Sequence, residues 1–556
     1  MKFNFLFVFP VLLCLCGCNR KEEKLTRPNI VFIMTDDHSY QTISAYGHAV
    51  SKLAPTPNID RLAMEGMLFQ RAFVENSLCT PSRACLMTGL YSHQNGQRQL
   101  NDGIDTTKTF VSELLQQAGY ETALVGKWHM RCEPKGFDFY HVLDGQGQYY
   151  NPMFKSRESN GKYIREEGYA TTLINDHAIE FLEKRKENKP FCLLVHHKAP
   201  HRNWMPETKY LDLYEEVEFP KPETFFDDYK TRCSAAFTQA MTIDKEMELV
   251  ADLKVNELKD TPPYNNKPFG GGLTNELERM TPEQRTTWEN AYGPKNKQLL
   301  GQNLKGEELM NWKFQRYMKD YLRCIKSVDD EVGRLTAYLE KERLLENTII
   351  IYTSDQGFYM GEHGWFDKRF MYEESFRTPL IIRYPKAIKS GTQSDALVQN
   401  IDYAPTLLSL AGVEKPAAMS GSSLESLFGG NKPGNWRKSL YYHYYDYPSF
   451  HNVRRHDGVR TDRYKLIHFY GMGGLEGATN PMQKREGTVE YKFMQAYAKS
   501  GKMGDDQEIN CDELYDLVND PTEVNNLFGK PGYEKITAEL QLILDAYRRD
   551  LKVDEY

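Results

Sequence analysis

The sequence predicts an α/β fold: a mostly parallel sheet with helices on both faces, followed by a smaller C-terminal α+β unit. Three observations carry this. Short apolar runs without polar alternation, at 28–34, 191–196 and 348–353, read as strands buried on both faces. Longer helical patterns lie between them, which calls for parallel pairing across crossovers. Beyond about residue 431 the runs become short and aromatic, at 440–445 and 464–469, and a helix closes the chain near 533–551. That last pattern reads as an antiparallel sheet with one helix against it.

Taken in order, residues 1–17 place Lys2 ahead of an apolar run from Phe5 to Leu15, too short to span a bilayer and suited to an export leader. The run ends in Leu15-Cys16-Gly17-Cys18, which resembles the lipobox of bacterial lipoproteins. Cys18 is therefore the expected lipidation site, and residues 18–27 a polar tether to a membrane. Asn19, not Asp, follows, and Arg20–Lys24 resembles a surface-export tag. An outer-membrane lipoprotein is expected, facing the periplasm or the cell surface.

The first strand runs from Pro28 to Met34 and ends in Thr35-Asp36-Asp37-His38. Pro57 to Met67 reads as a helix with Thr56 as its cap, and Thr109 to Ala118 as a helix closed by Gly119. Strand Glu121–Val125, helix Tyr169–Asn188 and strand Phe191–His196 follow. Then come helix Lys313–Arg343, strands Thr348–Thr353 and Pro379–Tyr384, and helix Tyr403–Leu410. The segment at about 205–311 is rich in Pro, Lys, Glu, Asn and Gln; it is expected as a partly helical insertion covering one face of a domain at 28–430. Residues 431–556 form the C-terminal unit.

The net charge of −7 over 556 residues argues against nucleic acid as the main partner. Of the 10 Cys, those at 14, 16 and 18 belong to the leader and lipid site; the other seven show no CxxC pair, so a zinc site is not indicated. Seven is odd, so at least one is unpaired or modified.

Cys79 is the candidate. In Ser77-Leu78-Cys79-Thr80-Pro81-Ser82-Arg83, Pro81 suits a first helical turn and puts Cys79 at the helix start. Free N–H groups and the positive dipole end favour anionic chemistry there, and a thiol in such a place has a lowered pKa. Arg83, one turn on, projects back toward Cys79. The plainer alternative is a buried cysteine at a helix start.

Asp36, Asp37 and Asp355 sit at the carboxyl ends of two buried strands, where open α/β sheets place ligands. With the amide oxygen of Gln356 they make a hard oxygen set that suits Ca²⁺ better than a transition metal. Lys127 and His129 and the His196–His201 run follow other strands, and Lys368 lies in the loop after Asp355; a parallel sheet would bring these ends to one rim. A cation, a reactive centre and a Lys/His ring together suit a tetrahedral oxyanion ester.

These stretches resemble a known family. Residues 77–89 are similar to the first signature of the sulfatases, and Gly119–His129 to the second; Thr353–Gly357, Gly361–Gly364, Tyr372-Glu373 and Glu513–Leu517 with Asp520-Pro521 resemble later blocks. The resemblance implies an alkaline-phosphatase-like fold. It implies oxidation of Cys79 to formylglycine by a separate maturation enzyme, and attack of the formylglycine hydrate on sulfur. Asp36, Asp37, Asp355 and Gln356 would hold Ca²⁺ together with residue 79, although Gln356 stands where Asn is commonest. Arg83 and Lys127 would steady the hydrate, His129 would take its proton, Lys127 and Lys368 would hold sulfate oxygens, and His201 would bind sulfate and protonate the leaving oxygen.

The stretches 196–204 and 451–465 resemble bacterial sulfatases of 6-O-sulfated N-acetylglucosamine, so a host glycan of heparan, keratan or mucin type is the expected substrate. Arg454 and His456 are the expected sugar contacts. The alternatives are a sulfatase for another sugar position or for aryl sulfates, a phosphonate or phosphate monoester hydrolase on the same fold, and a non-catalytic glycan-binding lipoprotein.

Overall fold

The computed structural model of the protein describes residues 27–262, 271–474 and 507–556, with 486–487, 491–492 and 495. The leader, Cys18 and the tether up to residue 26 lie outside the described residues. Among the described residues, ten strands form the main sheet. Its centre is parallel: Asn29–Thr35 lies between Phe191–His196 and Thr348–Ser354, and Glu121–Gly126 pairs with Phe191–His196 on the far side. The register sets Met34 against His196 and against Thr353, so three strands finish at one level. Leu380–Arg383 adds on antiparallel, as do the short strands at the opposite edge.

Alternate side chains of the first strand serve two cores. Val31 and Ile33 pack with the helices Ala170–Lys184 and Gly306–Lys341, while Ile30, Phe32 and Met34 pack on the opposite face with Tyr403–Leu410. That is why the run shows no polar alternation. The segment expected as an insertion carries helices Gly271–Arg279 and Pro282–Gln302, and buries Phe219, Phe225, Trp288 and Tyr292 in the first of these cores.

Among the described residues, a four-stranded antiparallel sheet follows: Ser439–Tyr444, His456–Thr461, Tyr464–Gly471 and Ile509–Asp516. The helix Glu534–Leu551 covers it through Leu540 and Leu544. Leu78, next to the Cys79 helix, shares a core with Tyr442, Tyr444 and Phe469, so the second sheet buttresses the first. A disulfide, Cys233–Cys511, ties the insertion to the last strand of the small sheet.

One local expectation is corrected. Thr56 begins the helix Pro57–Glu65 but its side chain makes no capping bond; its hydroxyl donates to Asp60 instead. Arg83 pairs with the buried Asp355 carboxylate.

Candidate active site

The helix Cys79–Thr88 is buried along its whole length, with Leu78 as an extended N-cap and Gly89 in the left-handed conformation as C-cap. Cys79 thus sits in the first turn, at the carboxyl edge of the parallel sheet. Ser82 Oγ donates to the Asp355 carbonyl, and Arg83 bonds the Asp355 carboxylate from Nε at 3.0 Å and the Lys127 carbonyl from Nη1 at 2.7 Å. One helical turn therefore fixes the ends of two different strands.

Four oxygen-bearing residues converge beside Cys79. Asp36, Asp37, Asp355 and Gln356 are all buried. Lys127 bonds Asp36 and also Gln146, and Lys368 lies 2.7 Å from Asp37. Gln356 Nε2 donates to Asp37 at 2.5 Å. Asp36 Oδ1 and Gln356 Oε1 are buried with no hydrogen-bond partner among the described residues. Two orphaned buried oxygens in a set made only of carboxylates and an amide are what a hard divalent cation would satisfy.

Burial works against the charge of Asp36, but Lys127, His201, Arg83 and Lys368 outweigh it and hold the carboxyl well below the usual range. Burial pushes Asp37 and Asp355 up, and the adjacent Asp36 charge adds to the push on both.

The rim carries the imidazoles. His129 Nδ1 lies 3.6 Å from Cys79 Sγ and 3.3 Å from Thr80 Oγ1. His201 Nδ1 bonds the Arg202 carbonyl at 2.7 Å, which leaves Nε2 facing Asp37 at 3.8 Å. Burial, aided by Lys127, keeps His129 neutral. The Cys79 thiol is corrected from the expected lowering: burial pushes it up, and the Lys127 charge does not overcome this. A reactive thiolate is therefore not what this helix start stabilises.

The backbone is unusual here. Asp37, His129, Asp367, Arg369 and His451 have positive φ of 66°, 53°, 77°, 94° and 66°, each costing roughly 1–3 kcal/mol in a non-glycine residue. Gly126 is required for a different reason: a Cβ there would run into the His196 carbonyl.

A cavity of about 420 Å³ opens over Cys79. Its walls include Gln146, His201, Arg202, Asp367, Arg369 and His451. Arg454 and His456 are not among them. Arg454 is buried against Tyr447, and His456 accepts the Met371 N–H at 3.1 Å, so both brace the small sheet while His451 and Phe450 reach the wall. Gln146 is a residue that the sequence reading missed. It stands in Gly145-Gln146-Gly147, whose glycines have φ of 53° and 71°, and that flanking was its one visible signal. Asp252 and Asn275 come from the insertion and had no such signal.

With the geometry in place, comparison with known proteins is decisive. The model of the family described as Sulfatase matches residues 28–413. The chain belongs to the sulfatase family. A second model, N-sulphoglucosamine sulphohydrolase, C-terminal, matches residues 361–475. The chain is 45% identical over 550 residues to an N-acetylglucosamine-6-O-sulfatase of Bacteroides thetaiotaomicron, covering 97% of this chain and 90% of the relative. It is 26% identical to the human N-acetylglucosamine-6-sulfatase, over 75% of this chain and 67% of that one. Among solved structures, one in complex with its substrate D-glucosamine-2-N,6-O-disulfate matches at a TM-score of 0.84 and 44% identity, covering 95% of this chain and 99% of the other. A phosphonate monoester hydrolase of Agrobacterium radiobacter shares the fold at a TM-score of 0.64 and 18% identity, covering 94% of this chain and 96% of that one.

Proposed function

We propose that this sulfatase hydrolyses the 6-O-sulfate of N-acetylglucosamine or glucosamine in host glycans. The observation that carries the reading is the position of Cys79: beside three carboxylates and an amide oxygen, within reach of His129, and open to a cavity of about 420 Å³. The 45% identity to a protein named N-acetylglucosamine-6-O-sulfatase supports the choice of sugar and position.

Asp36, Asp37, Asp355 and Gln356 would hold Ca²⁺, with residue 79 completing the set. When bound, the cation would supply positive charge to the ester and to residue 79. Residue 79 supplies the attacking oxygen once its thiol has been replaced by an aldehyde hydrate, which needs a separate maturation enzyme. Arg83 holds Asp355 and, through the Lys127 carbonyl, the loop that carries Lys127 and His129. Lys127 and Lys368 turn from the carboxylates to the sulfate oxygens. His129, held neutral, takes the proton from residue 79. His201 gives a proton from Nε2 to the departing sugar oxygen. Burial holds His201 well below its ordinary pKa, and the negative charge of a bound ester pulls it back up. Asp367, Arg369 and His451 face the sugar from the opposite wall.

The alternatives make different demands. Initial rates of the matured protein on 6-O-sulfated glucosamine, other sulfated sugar positions and aryl phosphates separate them; preferential phosphate cleavage would overturn the reading. Mass spectrometry of the peptide containing residue 79 tests the nucleophile, since an unmodified thiol in active enzyme contradicts it. We further place the protein at the outer membrane, anchored through Cys18. The Cys233–Cys511 disulfide is consistent with export. Loss of lipid labelling in Cys18→Ala, with activity moving to the soluble fraction, tests the anchor.

A further inference from the structure

Outside the reacting centre, the described residues bring together another group of metal-ligating side chains. His141 lies on the strand Phe139–Leu143. His177 and Glu180 lie three apart, on one face of the helix Ala170–Lys184. Phe139 and Phe181 pack that helix against the strand. One ligand atom from each of His141, His177 and Glu180 lies within 4.8 Å of the other two. None of the three residues lines the cavity over Cys79.

The two imidazoles stack face to face, with centroids 3.8 Å apart and planes 5° from parallel. Glu166 holds one edge of the pair: its carboxylate lies 2.8 Å from His177 Nε2 and 3.8 Å from His141 Nε2. Glu180 Oε2 takes the other edge, 3.2 Å from His177 Nδ1. Lys184 bonds Glu180 Oε1 at 2.7 Å, which leaves Oε2 turned to the imidazoles. His141 Nδ1 is buried with no hydrogen-bond partner among the described residues. Burial, with the charge of His177 adding to it, pushes His141 down to about 4, so this ring is neutral. With its proton on Nε2, toward Glu166, Nδ1 keeps a free electron pair. Phe154 stands edge-on to both rings, at 6.2 and 5.0 Å, and backs the pair with an apolar face.

A buried nitrogen with a free pair and no donor is costly unless something comes to it. Two imidazole nitrogens and a carboxylate oxygen are a zinc donor set, and a carboxylate on the far nitrogen commonly orients a ligating histidine. The nitrogens of two imidazoles on one tetrahedral zinc lie roughly 3.4 Å apart, close to the spacing of the stacked rings. The side chains of His141 and His177 are 20% and 11% exposed, so the planes can splay and an ion can reach them from solvent. A proton on His177 is the competitor. It would bridge Glu166 and Glu180 but leave His141 Nδ1 unsatisfied, whereas an ion meets all three ligands at once.

We propose that His141 Nδ1, His177 Nδ1 and Glu180 bind one Zn²⁺, with Glu166 orienting both rings from Nε2 and water in the fourth position. Two of the three donors are imidazole nitrogens, which select zinc over Ca²⁺. The ion pins the helix Ala170–Lys184 to the main sheet, and the site is independent of the sulfatase reading. No thiolate takes part, so the cysteine spacing is silent on it.

The test uses the full-length protein, stripped with a chelator and returned to excess Ca²⁺. The Ca²⁺ keeps cobalt from Asp36, Asp37 and His201, the other such group among the described residues. Co²⁺, whose visible absorption reports its ligands, is titrated in first and Zn²⁺ second. Wild type should bind one equivalent of Co²⁺ that Zn²⁺ displaces, and Zn²⁺ should raise its thermal midpoint. His141→Gln and His177→Gln should each lose the equivalent and the midpoint shift, and Glu166→Gln should weaken Zn²⁺ binding by about 10–100-fold. Far-UV circular dichroism checks that each variant is folded; His141→Gln, on the more exposed ring, keeps the test open if His177→Gln is not. No displaceable equivalent in wild type, or one that survives in a folded histidine variant, would overturn the site.

Discussion

Arg83 and Asp355 form a buried pair at 3.0 Å, with side chains 1% and 0% exposed, between the first turn of a helix and the end of a distant strand. Arg83 also donates to the Lys127 carbonyl at 2.7 Å, so one guanidinium joins the Cys79 helix to the ends of two strands. Only a planar donor set makes both contacts at once. Arg83→Lys should lower kcat/KM by about 10–100-fold and raise the Ca²⁺ concentration needed for half-maximal activity, as for other residues that orient metal ligands. Calcium titrations of activity check this; an unchanged requirement would limit Arg83 to a role in folding.

His129 lies 3.6 Å from Cys79 Sγ and His201 lines the cavity over it, and a change of leaving group separates the roles proposed for them. His201→Gln should lose roughly 10²–10⁴-fold in kcat on a sugar sulfate, whose alkoxide needs a proton. On an activated aryl sulfate the loss should be small. His129→Gln should impair both substrates alike. Steady-state kinetics on the two substrate types decide it, and equal losses for His201→Gln would remove it as the proton donor.

The orphaned oxygens of Asp36 and Gln356 predict that a cation stabilises the fold as well as the reaction. Chelation should abolish turnover, and Ca²⁺ should restore it. At a hundredfold excess over Kd, Ca²⁺ should add about 2.7 kcal/mol to the unfolding free energy. Asp36→Asn should shift both effects to higher Ca²⁺. Denaturant melts with and without Ca²⁺ measure this, and coincident midpoints would refute the site.

Glu75, four residues before Cys79, supplies a test that does not involve the reaction. Burial pushes it up to about 7, against the donors Cys85 and Ser92. Its folded pKa lies above the unfolded one, so the native state holds the extra proton, and stability falls as pH rises from about 4.5 to 7 and is flat above. The effect is on the order of 3 kcal/mol across that window. Glu75→Gln keeps an acceptor for both donors and should flatten this slope, as read from unfolding midpoints between about pH 5 and 8. A slope equal to that of wild type would show that Glu75 titrates normally.

Much of the site was legible because the chemistry sits where strands end. Asp36, Asp37, Asp355 and Gln356 each follow an uninterrupted apolar run, and Lys127 and His129 follow another. A parallel sheet brings such ends to one edge, so the convergence could be argued before any contact was known. The Cys79 helix start could be read from Pro81 in the same way. The thiol pKa could not, because a lowering inferred from a helix terminus assumes some access to water, and Cys79 is buried.

What the sequence determined by itself is the local and periodic part: which segments are strands buried on both faces, where the helices lie, and which polar residues stand at strand ends. Those features depend on a few neighbouring residues and their spacing. The tertiary structure alone decided which loops close over the site. It put His451 rather than Arg454 or His456 on the cavity wall and brought Asp252 and Asn275 from the insertion. These are contacts between segments far apart in the chain, set by how two sheets and an insertion pack, and no spacing in the sequence encodes them.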